Sequence, residues 1–206
     1  MTSKARVSSG VADLDYLLGG LFIGDNVVWH DDSGNLASTF CLSFLQMSLA
    51  QQKPVIYVCF DRSPKNLLHK LGRFAESTQL TILDAFTCGK GGSSPVFMKF
   101  YEGPQTGYAC AIRRIENPHQ MDDVAETLYA VHGTLEGDVR LVFESITGMQ
   151  EVWGGEEAMV RFYTHACPRL YELETIAYWI IEKLAHSQRL KAQINQIAQV
   201  AIDLSI

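Results

Sequence analysis

The chain has 206 residues, 47% hydrophobic and 19% charged, a balance that fits a globular α/β domain with a sizeable core. Its net charge of −6 leaves no general basic field for nucleic acid or an anionic membrane, and no run reaches the ~20 apolar residues of a spanning helix. The five cysteines, Cys41, Cys59, Cys88, Cys110 and Cys167, lack CxxC spacing. They read as buried thiols rather than a disulfide or zinc framework, and the opening MTSKARVSSG lacks the apolar core of a signal peptide, so the cytoplasm is the expected compartment.

Along the chain, residues 25–30 (DNVVWH) form a short apolar strand that runs into the polar turn DDSGN. Cys41, Phe44, Leu45, Ser48 and Leu49 then recur at helical spacing, with Ser38 or Thr39 near the helix start. PVIYVCF (54–60) is a continuous apolar run, the pattern of a strand buried on both faces. Ser63-Pro64 supplies an N-cap serine and a first-turn proline for the next helix. TILDAF (81–86) predicts a third strand. Residues 87–117 are rich in turn clusters, GKGGSSP and EGPQTG, and predict a long loop or small excursion. A helix over about 121–132, a strand at RLVFE (140–144), a helix over about 156–173 and a strand at TIAYWIIE (175–182) follow, and the sequence closes on the apolar strand QVAIDLSI. Alternating strands and helices imply right-handed crossovers and a mostly parallel sheet covered on both faces. A single domain over residues 1–206 is the expectation, with the terminal apolar strand suggesting a piece of a longer protein.

In such a sheet ligands bind beyond the carboxyl ends of the strands. Three segments deliver polar residues there: His30 to Asn35, Asp61-Arg62-Ser63, and Glu144-Ser145. The first joins a strand to a helix, the place of a phosphate-cradling loop.

Several segments together resemble one family. Val7-Ser8-Ser9-Gly10-Val11-Ala12-Asp13-Leu14-Asp15-Tyr16-Leu17-Leu18-Gly19-Gly20 is similar to the S-x-G-x-x-x-L-D-x-L-L-G-G-G opening of KaiC-like and RadA-like RecA-superfamily ATPases. PVIYVCFDRSPKNLLHKL resembles their second strand, RLVFESITGM their Walker B strand, and AYWIIEKLAHSQRLKAQINQIAQVAIDL the closing strands of bacterial KaiC-like domains. The resemblance spans nearly the whole chain and implies a RecA-like P-loop fold. It also implies ring-like or filament-like homo-oligomers and, for bacterial relatives, signal transduction beside other signalling domains.

The departures are as informative. The family's G-x-x-x-x-G-K-[ST] falls on Asp31-Asp32-Ser33-Gly34-Asn35-Leu36-Ala37-Ser38, followed by Thr39, so the lysine becomes Ala37 and the two motif glycines become Asp31 and Leu36. Only Ser38 keeps the Mg²⁺-binding hydroxyl. A carboxylate about 5 Å from a phosphate charge repels it by roughly 3 kcal/mol at an effective dielectric of about 20. Losing the cation and adding Asp31 and Asp32 should remove tight ATP binding. Asp61 falls at the position of the glutamate that orients the attacking water, and Glu144 replaces the Walker B aspartate; with Ser38, Glu144 would hold Mg²⁺ if any were bound. Both are expected to be vestigial.

Other candidates are weaker. Gly89-Lys90-Gly91-Gly92-Ser93-Ser94 has the wrong spacing for a P-loop and reads as a flexible loop. His165 and Cys167 point to different sides of one helix. Arg113 and Arg114 with Tyr101, Tyr108 and Phe97 offer a basic aromatic surface for single strands, although solvated loop and core roles fit them better. His186 reads as a subunit contact or a plain surface histidine. The expected function is therefore a non-catalytic RecA/KaiC-like module acting through protein–protein contacts, with no cofactor. The alternatives are a divergent ATPase using ATP and Mg²⁺, and a recombinase paralogue binding DNA, against which the acidic total argues.

Overall fold

The computed structural model describes residues 5–32, 36–104 and 106–205. A short antiparallel pair comes first, β1 (Arg6–Val7) with β2 (Leu21–Phe22), and helix α1 (Ala12–Leu18) lies between its strands in sequence. Then follow β3 (Asn26–Asp31), α2 (Leu36–Ala50), β4 (Val55–Cys59), α3 (Pro64–Leu71), a 3-10 turn (Gly72–Glu76), β5 (Leu80–Asp84), α4 (Pro95–Glu102) and β6 (Ala111–Arg114). The second half contains α5 (Met121–His132), β7 (Arg140–Phe143), α6 (Ile146–Trp153), α7 (Glu156–Glu172), β8 (Ile176–Glu182), α8 (Gln188–Ile197) and β9 (Val200–Leu204). Strands β3 to β9 make one seven-stranded sheet in the order β6-β5-β4-β7-β8-β3-β9, and every neighbouring pair is parallel.

The period of two in a strand divides each central strand between two helical layers. In β8, Ile176, Tyr178 and Ile180 join Phe44 and Leu45 of α2 and Leu67 of α3, whereas Ala177, Trp179 and Ile181 join Leu128 of α5, Phe162 of α7 and Ile194 of α8. Each fully buried aliphatic side chain contributes about 1.5–3 kcal/mol, so both faces need a cover and the central strands read as unbroken apolar runs. The Ser63 side chain accepts the Asn66 backbone N–H at 3.5 Å, with Pro64 in the first turn, as its sequence predicts.

The structure departs from the expected elements in three places. Residues 87–117 hold turns first but then α4 and β6, an edge strand whose Ala111 and Arg113 are exposed, so it carries no apolar run to announce it. Helix α6 follows β7 after only two residues, burying Ile146, Met149 and Val152 at spacings of three. Between β8 and β9, where only closing strands were expected, α8 packs Leu190 and Ile194 on the sheet.

The Ser8-Ser9-Gly10 turn shows why the opening motif has its residue types. Asp15 accepts the Ser9 N–H at 2.6 Å, and the buried Tyr178 hydroxyl donates to the Ser9 carbonyl at 2.7 Å. Gly10 has φ of +84°, and a Cβ there would sit 2.6 Å from the Phe44 backbone nitrogen and 2.7 Å from the Ser43 carbonyl carbon. Gly10→Ala should therefore cost about 2–3 kcal/mol, part from the left-handed backbone and part from displacing α2. A lower urea midpoint at unchanged slope would show this; a shift below about 0.5 kcal/mol would mean the turn is not seated on α2.

Candidate functional site

Order reverses twice in this sheet. From β4 the chain proceeds outward to β5 and β6, while from β7 it proceeds the other way to β8; likewise β3 leads to β4 and β8 leads to β9 in opposite directions. Such reversals open crevices at the carboxyl ends of the strands. The residues delivered there are mostly charged. Asp31 ends β3 and lies in register with Glu182, which ends β8; Glu144 follows β7, and Asp61-Arg62 follows β4. They line a cavity of about 110 Å³ together with Ser38, Lys70, Ser145 and Ile180.

Glu144, one of the residues lining this cavity, is buried, and both of its carboxylate oxygens have partners. Its Oε1 accepts from Lys70 Nζ at 2.6 Å and from Arg62 Nε at 2.9 Å, while Oε2 accepts the Cys59 thiol at 2.9 Å. Burial opposes its ionisation, but Lys70, the Cys59 hydrogen bond and Arg62 outweigh that and hold its pKa below the ordinary value. Burial, then the Glu144 charge, pushes the Cys59 thiol well up, so Cys59 remains a donor.

Two acids that sit side by side in the sequence part company. Asp31 is 1% exposed, and its Oδ2 accepts the Ala37 backbone N–H at 2.9 Å. That amide belongs to the first turn of α2, where N–H groups lack helical acceptors and the helix dipole is positive. Asp32 is half-buried and pairs with Lys183 at 3.5 Å. The raised pKa of Glu182 follows from its burial and then from Asp31 and Asp32.

Asp61 is taken up by Lys90, whose Nζ lies 2.6 Å from Asp61 Oδ1 and also pairs with Glu151. Gly148 makes room for it: a Cβ on this first-turn residue of α6 would lie 2.6 Å from Asp61 Oδ1. Among the remaining residues of the expected loop, Ser38 lines the cavity, Ala37 is buried, Leu36 is half-buried and Thr39 is exposed. Ser33, Gly34 and Asn35 lie outside the described residues. Lys70 was not foreseen, and Lys90 was read only as part of a flexible loop; the seating of α3 and of the 87–94 turns against the sheet brings them to Glu144 and Asp61.

The other candidates divide. His186 is buried, not a surface residue: its Nε2 is 2.8 Å from the Thr147 hydroxyl, and burial lowers its pKa. His165 is exposed and Cys167 buried on the same helix, as their spacing implies. Arg114 is held by both carboxylate oxygens of Glu116 at 2.7 Å and lies 5.1 Å from the Tyr101 ring centroid, which ties up its charge. Among the described residues no group of His, Cys, Asp and Glu has the arrangement of a metal site, and no helix is long and apolar enough to cross a membrane.

No family model and no curated protein matches this sequence. Among solved structures, a KaiC-like protein from the hyperthermophilic archaeon Pyrococcus horikoshii superposes with a TM-score of 0.66 at 20% identity, covering 98% of this chain and 82% of that one. The all-parallel sheet, its strand order and this superposition together give the chain the RecA-like P-loop fold of a KaiC-like protein.

Proposed function

We propose that this chain is a non-catalytic RecA/KaiC-like module that serves signal transduction or assembly through protein–protein contacts, including ring-like or filament-like association with its own copies, and that it has given up ATP. The observation that carries this reading is the hydrogen bond from the Ala37 N–H to the Asp31 carboxylate. In a working P-loop the amides at this helix start and a lysine one residue before the Ser/Thr receive the phosphates. Here the lysine position is Ala37, and an acid of the chain itself takes the amide.

ATP and Mg²⁺ do not fit the residues present. A phosphate group would have to displace Asp31 from a buried position and then tolerate its charge. The cations nearest the cleft, Lys70 and Arg62, already neutralise Glu144. The cavity of about 110 Å³ also falls well below the range of about 300–1,000 Å³ usual for small-molecule sites. Asp61 and Glu144 thus serve as the anionic halves of ion pairs rather than as a water-orienting base and a metal ligand, and Ser38 is left with no metal to share.

Titration with a fluorescent ATP analogue in the presence of Mg²⁺ tests this. Signal without saturation up to millimolar nucleotide is the expected outcome. Saturation at micromolar concentrations, or phosphate release above the protein-free rate, would overturn it. One observation supports the second reading, a divergent ATPase: Lys70 brings an ammonium group into the cleft from within the same chain. Under that reading Lys70→Ala abolishes the saturable binding.

A further inference from the structure

The loop after β8 brings one histidine to the amino ends of three helices. The His186 side chain is fully buried there, among Thr147 in the first turn of α6, Glu156 at the start of α7 and Ser187, the N-cap of α8. Its Nε2 lies 2.8 Å from the Thr147 hydroxyl, which can donate or accept, so either neutral tautomer is satisfied on that side. The other nitrogen, Nδ1, has no hydrogen bond and lies 3.6 Å from Glu156 Oε1.

Glu156 is already engaged. Its Oε1 accepts the Ser187 backbone N–H at 2.7 Å, and Oε2 accepts the Ser187 hydroxyl at 2.5 Å. The same hydroxyl oxygen accepts the Leu190 N–H at 3.1 Å. One carboxylate thus orients the cap of α8, and the Ser187 and Leu190 amides have no acceptor within the helix to fall back on. A proton on His186 makes both ring nitrogens donors, and Nδ1 then needs an acceptor. The oxygen facing it is Glu156 Oε1, which would have to close from 3.6 Å to about 2.8 Å and leave the Ser187 N–H. Burial opposes this proton and outweighs the Glu156 charge, with Lys191 adding to the opposition, so the ring is neutral at pH 7.5.

We propose that His186 and Glu156 form a proton-operated latch on α8. At neutral pH the carboxylate holds the Ser187 cap; once the ring is protonated the carboxylate turns to Nδ1 and the first turn of α8 loosens. The same loop carries Leu184, 80% exposed, so the latch governs how an apolar side chain is presented at the surface. Other charged groups lie around it. Glu182 and Lys183 precede the loop, Lys191 donates to the Lys183 carbonyl at 2.9 Å, and Glu157, Arg161 and Arg189 border a hollow beside Glu156. A second histidine, His30, holds α8 further along through Asn195 Oδ1 at 2.6 Å from its Nε2. The latch makes no use of the loop after β3, so it goes beyond the reading above and stands whether or not nucleotide binds.

NMR of the full chain from pH 7.5 to pH 5.5 tests it, following the His186 ring and the exchange of the Ser187 and Leu190 amides relative to their intrinsic rates. A freed histidine titrates at about 6.5, which limits the loosening at pH 5.5 to about tenfold, and exchange of the two amides should rise severalfold toward that limit. Ring and amides should share one midpoint below the ordinary histidine value, while the amide of Val28, buried in the middle of the sheet, stays protected. His186→Gln keeps a hydrogen-bonding group toward Thr147 but takes no proton, and its two amides should exchange alike at both pH values. Urea unfolding at pH 7.5 shows whether this variant folds; if it does not, the shared midpoint in the native chain decides. A response that survives His186→Gln belongs to His30 or Glu182 and overturns the proposal. Amides that keep the same protection across the range, or that respond with a midpoint different from that of the ring, overturn it as well.

Discussion

Glu144→Gln is expected to lower stability by about 3 kcal/mol at neutral pH, because it strands Lys70 and Arg62 around an uncharged group in a buried setting. The loss stays below the upper end of such effects because the Arg62 side chain is 39% exposed and turns to water more readily than Lys70, at 20%. Replacing the pair with apolar groups, Glu144→Leu with Lys70→Met, should recover most of the loss, since removing both charges leaves none uncompensated. Urea unfolding followed by circular dichroism measures both. The pH dependence separates charge from shape. Because the folded-state pKa of Glu144 is depressed, its stabilisation is complete above the ordinary glutamate value of about 4.3 and disappears as pH falls through the lower folded value. The difference between native chain and Glu144→Gln should accordingly shrink below about pH 4. A difference that stays constant from neutral pH down to pH 3 would assign the effect to packing and remove the ion cluster from the account of the cleft.

Trp179→Ala should have the larger effect, about 4–5 kcal/mol, observed calorimetrically as a fall in Tm of about 10–15 °C. Trp179 is fully buried on the α5–α7 side of β8 and stacks on Phe143 with ring centroids 4.0 Å apart. The Tyr163 ring meets it edge-on at 4.9 Å, and its indole N–H donates to Asn26 Oδ1 at 3.0 Å. Removing the indole leaves a cavity in the middle of the sheet and an unpaired buried amide oxygen, and the two costs add. Trp179→Phe keeps the stack but not the hydrogen bond and should cost about 1–3 kcal/mol. If alanine and phenylalanine proved equally mild, the aromatic stack would not be the keystone that its position suggests.

These two sites show how differently fold and cleft are encoded. The central strands could be located from the sequence because a strand buried on both faces has no polar positions to spare, so PVIYVCF and IAYWII stand out as unbroken apolar runs. Ser63-Pro64 marked a helix start for an equally local reason. That Ala37 stands where the resembled family carries a lysine is what the resemblance implies, once the family motif is laid on the turn after residues 25–30. Strand β6 and helix α8 escaped notice because each buries only part of one face, so their apolar signal is sparse.

What the linear order determined about this protein is its central strands and most of its helices, because each depends on neighbours within a few residues. Only the tertiary structure decided that Asp31 turns in to α2 while Asp32 turns to Lys183, and that Lys70 and Lys90 complete the pairs with Glu144 and Asp61. Lys70–Glu144 and Asp61–Lys90 span 74 and 29 residues. Such pairs are set by the seating of a helix or turn on the sheet, and a rotation or shift of a few ångströms there would give each acid a different partner.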